Sequence, residues 1–213
     1  MRISPRGSSQ GTLFDTAGGA ESGELAFLAG YGIVCGIDEA GRGPLAGPVS
    51  AAAVILPAGF PLALLGDSKA LSEKERNLAY AVITTQALWA NEWAWPSEID
   101  ELNILGATML AMRRAFLRLG AGADIVIVDG TKTPDIECER RALVKADAKV
   151  PAVMAASIIA KVSRDRMMER YDWLYPEYGY ARHKGYPTAA HRAACRAMGP
   201  SPIQRLSFSY AKA

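Results

Sequence analysis

Asp38 and Glu39 stand side by side after an apolar run, Ile33 to Ile37, and a glycine-rich turn carrying one arginine, Gly41-Arg42-Gly43, follows at once. Two adjacent carboxylates at the end of a buried strand are unfavourable unless positive charge lies against them, because a desolvated charge must be paired or metal-bound. A divalent cation held by hard oxygen ligands is the natural counter-charge. The glycines let main chain approach a ligand closely, and the arginine offers planar donors that suit phosphate. Together these residues point to metal-assisted chemistry on a phosphodiester. Asp129 shares the context of Asp38, since it ends the apolar run Asp124–Val128 and is followed by Gly130. Asp147 follows a strand-like segment, Arg141–Lys145, and precedes a long helical pattern. Ligand sites gather at the carboxyl ends of strands in α/β sheets, so all these acids are expected at one edge. Glu39 alternates away from Asp38 in an ideal strand, and the turn must bring it back.

Further polar groups have spacings that suit a nucleic acid. Ser157, Lys161 and Arg164 fall at i, i+4 and i+7 of the helical pattern and share a face, with Met154, Ile158 and Val162 on a neighbouring apolar one. That stripe is either the solvent side of the helix or a row of hydroxyl and cationic groups for phosphate oxygens, and spacing alone does not choose. In Lys184-Gly185-Tyr186-Pro187-Thr188 an aromatic ring sits among basic residues, Arg182 and Arg192 included, where it either packs on the body or stacks on a sugar or base. Gly41-x-Gly43-x-x-Ala46 with Asp67 also fits a relaxed dinucleotide-binding pattern. Against that reading, Pro48 and an apolar strand-like run follow where a helix should open.

The elements that must position these residues can be read from periodicity. Ile33–Asp38, Val49–Leu56 and Leu88–Trp95 read as strands, with Asp124–Val128 and Arg141–Lys145 as two more. Ser72 and Glu75 form a capping box that opens a helix to about Gln86. Helical segments fill Ser97–Leu119 with a break near Asn103–Gly106, and Pro151 opens a helix to about Arg170. From about residue 171 the chain is aromatic, Pro-rich and basic, with one more helix near Thr188–Met198. Short early connections favour antiparallel pairing and the later strand a parallel one, so an α/β domain with a mixed sheet is expected over 31–213. Residues 1–30 lack either period and read as a flexible tail.

Composition removes other classes. The 213 residues carry a net charge of +2, are half hydrophobic and contain two histidines, which disfavours histidine-driven triads. Cys35, Cys138 and Cys195 form neither a zinc pattern nor a disulfide framework. No apolar run approaches the ~20 residues of a membrane span, and the start lacks the order of a secretory signal. A cytoplasmic, monomeric protein with no membrane association is expected.

The run Asp38-Glu39-Ala40-Gly41-Arg42-Gly43-Pro44-Leu45-Ala46-Gly47-Pro48 resembles the signature of type 2 ribonuclease H, ribonuclease HII. The likeness continues through Asp67-Ser68-Lys69, Asp129-Gly130, Lys145-Ala146-Asp147, Ala155-Ala156-Ser157-Ile158-Ile159-Ala160-Lys161-Val162 and His183-Lys184-Gly185-Tyr186, and spans about Gly32 to Phe208. It implies an RNase H-like fold: a central mixed five-stranded sheet flanked by helices, with a small helical C-terminal part. It also implies hydrolysis of RNA in RNA–DNA hybrids, and cutting 5′ to single ribonucleotides in DNA duplexes to leave 3′-hydroxyl and 5′-phosphate ends. By the resemblance, Asp38, Glu39, Asp129 and Asp147 are catalytic acids that bind Mg²⁺ or Mn²⁺. Gly41, Arg42 and Gly43 sense the ribose 2′-hydroxyl, Tyr186 packs on the sugar at the RNA–DNA junction, and Lys69, Ser157 and Lys161 contact phosphates. Two residues depart from the family pattern: Ala146 where Gly is frequent, a change that should preserve the turn, and Gln204 where His is common, which bears only on a local contact near the C-terminus. In the tail, Gln10–Phe14 resembles peptides that dock on bacterial sliding clamps. From another class, a non-catalytic binder of RNA–DNA hybrids would differ by keeping its affinity on chelation.

Overall fold

Strand β1, Val34–Ala40, is the middle of a five-stranded sheet whose order is β3-β2-β1-β4-β5. The computed structural model describes residues 25–66, 68 and 71–209. The candidate clamp peptide Gln10–Phe14, and Asp67 and Lys69, lie outside the described residues. Within the segment up to Gly32, Ala26–Gly30 forms a 3-10 turn.

The sheet is mixed, as the connection lengths require. β2, Val49–Ile55, pairs antiparallel with β1, and β3, Leu88–Ala94, pairs antiparallel with β2. β4, Ile125–Asp129, and β5, Arg140–Leu143, run parallel to β1. The helix α1, Glu73–Gln86, starts at the expected capping box: the Ser72 hydroxyl accepts from the Glu75 amide and the Glu75 carboxylate from the Ser72 amide. Next, α2, Pro96–Leu119, has its break at Asn103, where φ is 58° and the side chain accepts from the Leu105 and Gly106 amides, capping the second half. The helix α3, Pro151–Leu174, begins at its proline but runs one turn beyond the expected Arg170. β5 ends at Leu143 because Lys145 takes a left-handed φ of 59°, which no strand accommodates. The tail of the domain is helical as expected, with α4, Tyr180–His183, and α5, Ala189–Met198, the latter capped by the Thr188 hydroxyl.

Alternation along the strands divides the core between two layers. Cys35, Ile37, Ala51, Ala53, Val126 and Val128 face α2. On the other side Ala52 and Val54 face Ala155, Ile158 and Ile159 of α3, with Ala79 and Ile83 of α1. The alanines of β2 keep both helices close to the sheet. Closest of all is α3: a Cβ built on Gly36 would lie 2.2 Å from the Ala152 carbonyl carbon and 2.3 Å from the Val153 nitrogen. Only glycine permits that approach, and it fixes where α3 meets the end of β1. Among the described residues no helix is long and apolar enough to cross a membrane.

Candidate active site

The chemistry-bearing acids stand where β1 and β4 end. These neighbours are parallel and paired through Ile37 and Val128, so the next step brings Asp38 beside Asp129. Both lie on the α3 face of the sheet, since Ile37 and Val128 point to α2. Asp38 is 4 % exposed, and its carboxylate accepts from the Glu39 amide at 2.7 Å and from the Ser157 hydroxyl. Ser157 in turn shares a hydrogen bond of 2.8 Å with the Ser68 hydroxyl. The Gly36 contact two residues earlier on the same face brings α3, and hence Ser157, to Asp38.

Asp147 reaches this edge through a different device. The Asp129 carboxylate accepts from the Ala146 amide at 2.8 Å and from the Asp147 amide at 3.5 Å, capping the 3-10 turn Ala146–Ala148. That turn sets Asp147, 7 % exposed, beside Asp129 and leads directly into α3. Ala146 keeps the turn intact because the left-handed residue is Lys145.

Burial pushes the Asp38 carboxyl well above the usual carboxylate range, and the charges of Glu39 and Asp129 raise it further against the hydrogen bonds from Ser157 and the Glu39 amide. This crowd of oxygen donors fits a hard divalent ion such as Mg²⁺ or Mn²⁺ rather than a thiolate- or imidazole-seeking metal. The acids adjoin without closing a cage: among the described residues no three His, Cys, Asp or Glu side chains are gathered around one ion position. Glu39 also pairs with Arg42 at 3.3 Å.

The turn Gly41–Pro48 leads into β2, not into a helix, which removes the dinucleotide reading. Arg42 and Gly43 are exposed, and a Cβ on Gly43 would lie 3.6 Å from the Tyr186 ring, so the sequence-predicted turn and tyrosine do adjoin. The Leu45 amide donates to Gly185 at 2.8 Å, tying the two segments together. Tyr186 is 43 % exposed, with its carbonyl held by His191 Nδ1 at 3.0 Å. Lys161 is partly exposed and pairs with Asp165 at 2.9 Å.

Arg164 does not belong to the stripe with Ser157 and Lys161 as a phosphate-facing or solvent-facing group. It is 1 % exposed, and its guanidinium donates to the carbonyls of Pro48, Lys184 and Ala46. Helical spacing names a face but not what covers it, and here the turn and the segment before Tyr186 cover it. Arg205 is a second buried guanidinium, 0 % exposed, that donates to the carbonyls of Gly41, Arg42, Pro44 and Gly47. Its importance was missed from sequence. A turn rich in Gly and Pro has few internal hydrogen bonds, so its buried carbonyls demand outside donors; that was the available signal.

A mixed sheet ending in carboxylates on adjacent parallel strands, Asp38 buried and Asp129 half-buried, with a helix packed over them, defines an RNase H-like hydrolase. Residues 35–211 match the family model described as Ribonuclease HII. The chain belongs to the ribonuclease HII family and is a phosphodiester-hydrolysing ribonuclease H. A ribonuclease HII of Treponema denticola is 54 % identical over 193 residues, covering 83 % of this chain and 98 % of that one. Among solved structures, the PCNA:RNase HII complex from Archaeoglobus fulgidus matches with a TM-score of 0.70 at 27 % identity, over 85 % of this chain and 97 % of that one. Ribonuclease H2 from Pyrococcus horikoshii matches with a TM-score of 0.68 at 28 % identity, over 84 % and 95 %.

Proposed function

We propose that this enzyme cuts the DNA strand 5′ to an embedded ribonucleotide, and the RNA strand of RNA–DNA hybrids, in a reaction that depends on Mg²⁺ or Mn²⁺. The observation that carries this reading is the juxtaposition of Asp38 and Asp129 with a turn whose Gly43 adjoins Tyr186. Asp38, Glu39, Asp129 and Asp147 are the residues that would hold the ions. Bound there, the ions would offset charge on the scissile phosphate and make water more acidic. Lys161 on α3 would hold phosphate oxygens next to the acids, Lys69 would add a further contact, and Ser157, whose hydroxyl proton goes to Asp38, would orient that carboxylate. Water adds to phosphorus, the bond to the upstream 3′-oxygen breaks, and that oxygen leaves as a hydroxyl while the phosphate stays on the ribonucleotide. The ribose 2′-hydroxyl neighbours the phosphate on its own 3′ side, not the one that is cut. It therefore serves recognition, by main chain at Gly41, Arg42 and Gly43, and not attack.

A labelled duplex with one ribonucleotide, incubated with Mg²⁺, Mn²⁺ or chelator, tests this. A metal-dependent nick 5′ to the ribonucleotide is expected; binding without a nick in either metal would make the protein a hybrid binder instead. Tyr186→Ala should cost about tenfold in kcat/KM at a single ribonucleotide, in line with ~1–3 kcal/mol for a stacked ring, and less on a long hybrid. Equal loss on both substrates would count against the junction role.

The relative from Archaeoglobus fulgidus was solved with PCNA, which supports a sliding clamp as a partner; Gln10–Phe14 is proposed as the docking peptide on its own sequence. Removing residues 1–24 should leave basal cleavage unchanged and abolish pull-down by a sliding clamp. Retained clamp binding in the truncated protein would refute the assignment.

A further inference from the structure

The carbonyls of Gly41, Arg42, Pro44 and Gly47 all point to one guanidinium. Arg205 donates Nη2 to Gly41 at 2.5 Å, Nη1 to Arg42 at 2.9 Å and to Pro44 at 2.8 Å, and Nε to Gly47 at 2.9 Å. Its own amide donates to the Leu45 carbonyl at 2.9 Å. Arg164 takes the carbonyls of Ala46 and Pro48 at 3.2 and 3.0 Å. Among the described residues neither guanidinium forms a salt bridge with a carboxylate; main-chain carbonyls take their hydrogen bonds, and the Phe208 ring lies 5.2 Å from the Arg205 guanidinium. Across a planar trans peptide the N–H points opposite to the preceding C=O. With the Gly41 and Arg42 carbonyls drawn inward, the amides of Arg42 and Gly43 point the opposite way, and Gly43 adjoins the Tyr186 ring.

We propose that Arg205 is the positioning residue for ribose recognition: by holding those carbonyls inward it aims the Arg42 and Gly43 amides at the ribonucleotide. This rests on the recognition role given above to the turn. The planar fork is essential, because a lysine has one nitrogen and cannot reach carbonyls on several sides. Arg205 is itself anchored. The Asp100 carboxylate of α2 accepts from the Leu206 and Ser207 amides at 3.0 and 2.8 Å, fixing the segment that carries it. Arg164 supports the far half of the turn, and the Gly41 conformation, φ 98°, leaves no room for a Cβ, which would fall 2.0 Å from Arg164 Nε.

Arg205→Lys tests the assignment in the full chain with Mg²⁺ present. Expected is a kcat lower by about 10²-fold at a single ribonucleotide, the scale of a misplaced recognition group, with KM and the Kd for an all-DNA duplex within about twofold of wild type. An Arg205→Lys enzyme that melts like wild type and keeps its kcat overturns the proposal. Amide exchange on the wild-type protein decides independently of how that variant folds. The Arg42 and Gly43 amides should exchange freely in the unbound enzyme and become protected by a ribonucleotide-containing duplex but not by an all-DNA one. Protection in the unbound enzyme, or equal protection by both duplexes, overturns it. A wild-type protein that nicks no ribonucleotide duplex would overturn the functional reading and this inference together, whereas normal nicking with unchanged Arg205→Lys kcat would remove the inference alone.

Discussion

Asp38→Asn is expected to abolish cleavage and to stabilise the protein. The loss should reach about 10³-fold or more in kcat, near 4 kcal/mol of transition-state stabilisation, because an amide cannot supply the anionic oxygen that the site needs at its most buried position. The gain in stability follows from the direction of the Asp38 shift. A carboxyl whose folded value is raised by burial and by the charges of Glu39 and Asp129 favours the native state when protonated. That contribution is fully present below the unfolded carboxylate value and is lost as pH rises through the folded one. Above the unfolded carboxylate value the raised carboxyl therefore opposes folding, and an uncharged isostere removes the opposition. Tm should rise, by about 2–4 °C for each kcal/mol recovered in a chain of this size, and the difference from wild type should shrink at low pH. A divalent ion should narrow the same gap from the other side, since a ligand that binds only the native state stabilises it. Mn²⁺ should then raise the Tm of the wild type more than that of Asp38→Asn. A variant that keeps full activity would overturn the assignment of Asp38. A variant that melts lower at neutral pH would show that its hydrogen bonds from Ser157 and Glu39 outweigh the repulsion.

What made these acids legible was the abruptness of the change along the chain. Apolar runs that stop at Asp38 and Asp129 read as buried strands with their ends at the sheet edge, and connection length favoured a parallel later strand, which the structure pairs with β1. The helix cap at Ser72 and the break at Asn103 were equally local, each written in a few residues. Arg164 and Arg205 were not local. Arg205 meets the turn across more than 150 positions, and nothing in helical spacing tells whether an arginine at Arg164 faces water or a second layer of chain. The boundary of β5 failed for a related reason. The demand that Asp129 cap the Ala146–Ala148 turn bends Lys145 into a left-handed conformation that its residue type does not announce. Contacts that close over long separations are where sequence patterns lose their grip.

Gly36→Ala is expected to have the largest effect on stability of any single methyl added to the sheet. In a generic strand, exchanging glycine for alanine adds stability by lowering the entropy of the unfolded chain. Here the methyl would lie 2.2 Å from the Ala152 carbonyl carbon, 2.3 Å from the Val153 nitrogen and 2.4 Å from the Ala152 oxygen. All three are backbone atoms in the first turn of α3, so no side chain can swing aside and the helix itself must retreat by about 1 Å or more, a close-packed interior offering no slack. Overpacking of this kind costs about 1–3 kcal/mol and more where backbone must move, so a Tm lower by roughly 10 °C is reasonable at about 2–4 °C per kcal/mol. The retreat also carries Ser157 away from Asp38, and with it the stripe that includes Lys161. Activity measured well below the melting transition should therefore fall by about 10²-fold in kcat, although Gly36 has no side chain and lies beneath the site rather than in it. Thermal melting and kcat at low temperature give the two readouts separately. A Gly36→Ala enzyme that melts at or above the wild-type temperature would mean that α3 is not seated on β1 through this glycine. One that melts lower but keeps its kcat would mean that the approach of α3 sets stability alone, and that Ser157 is not held to Asp38 through it.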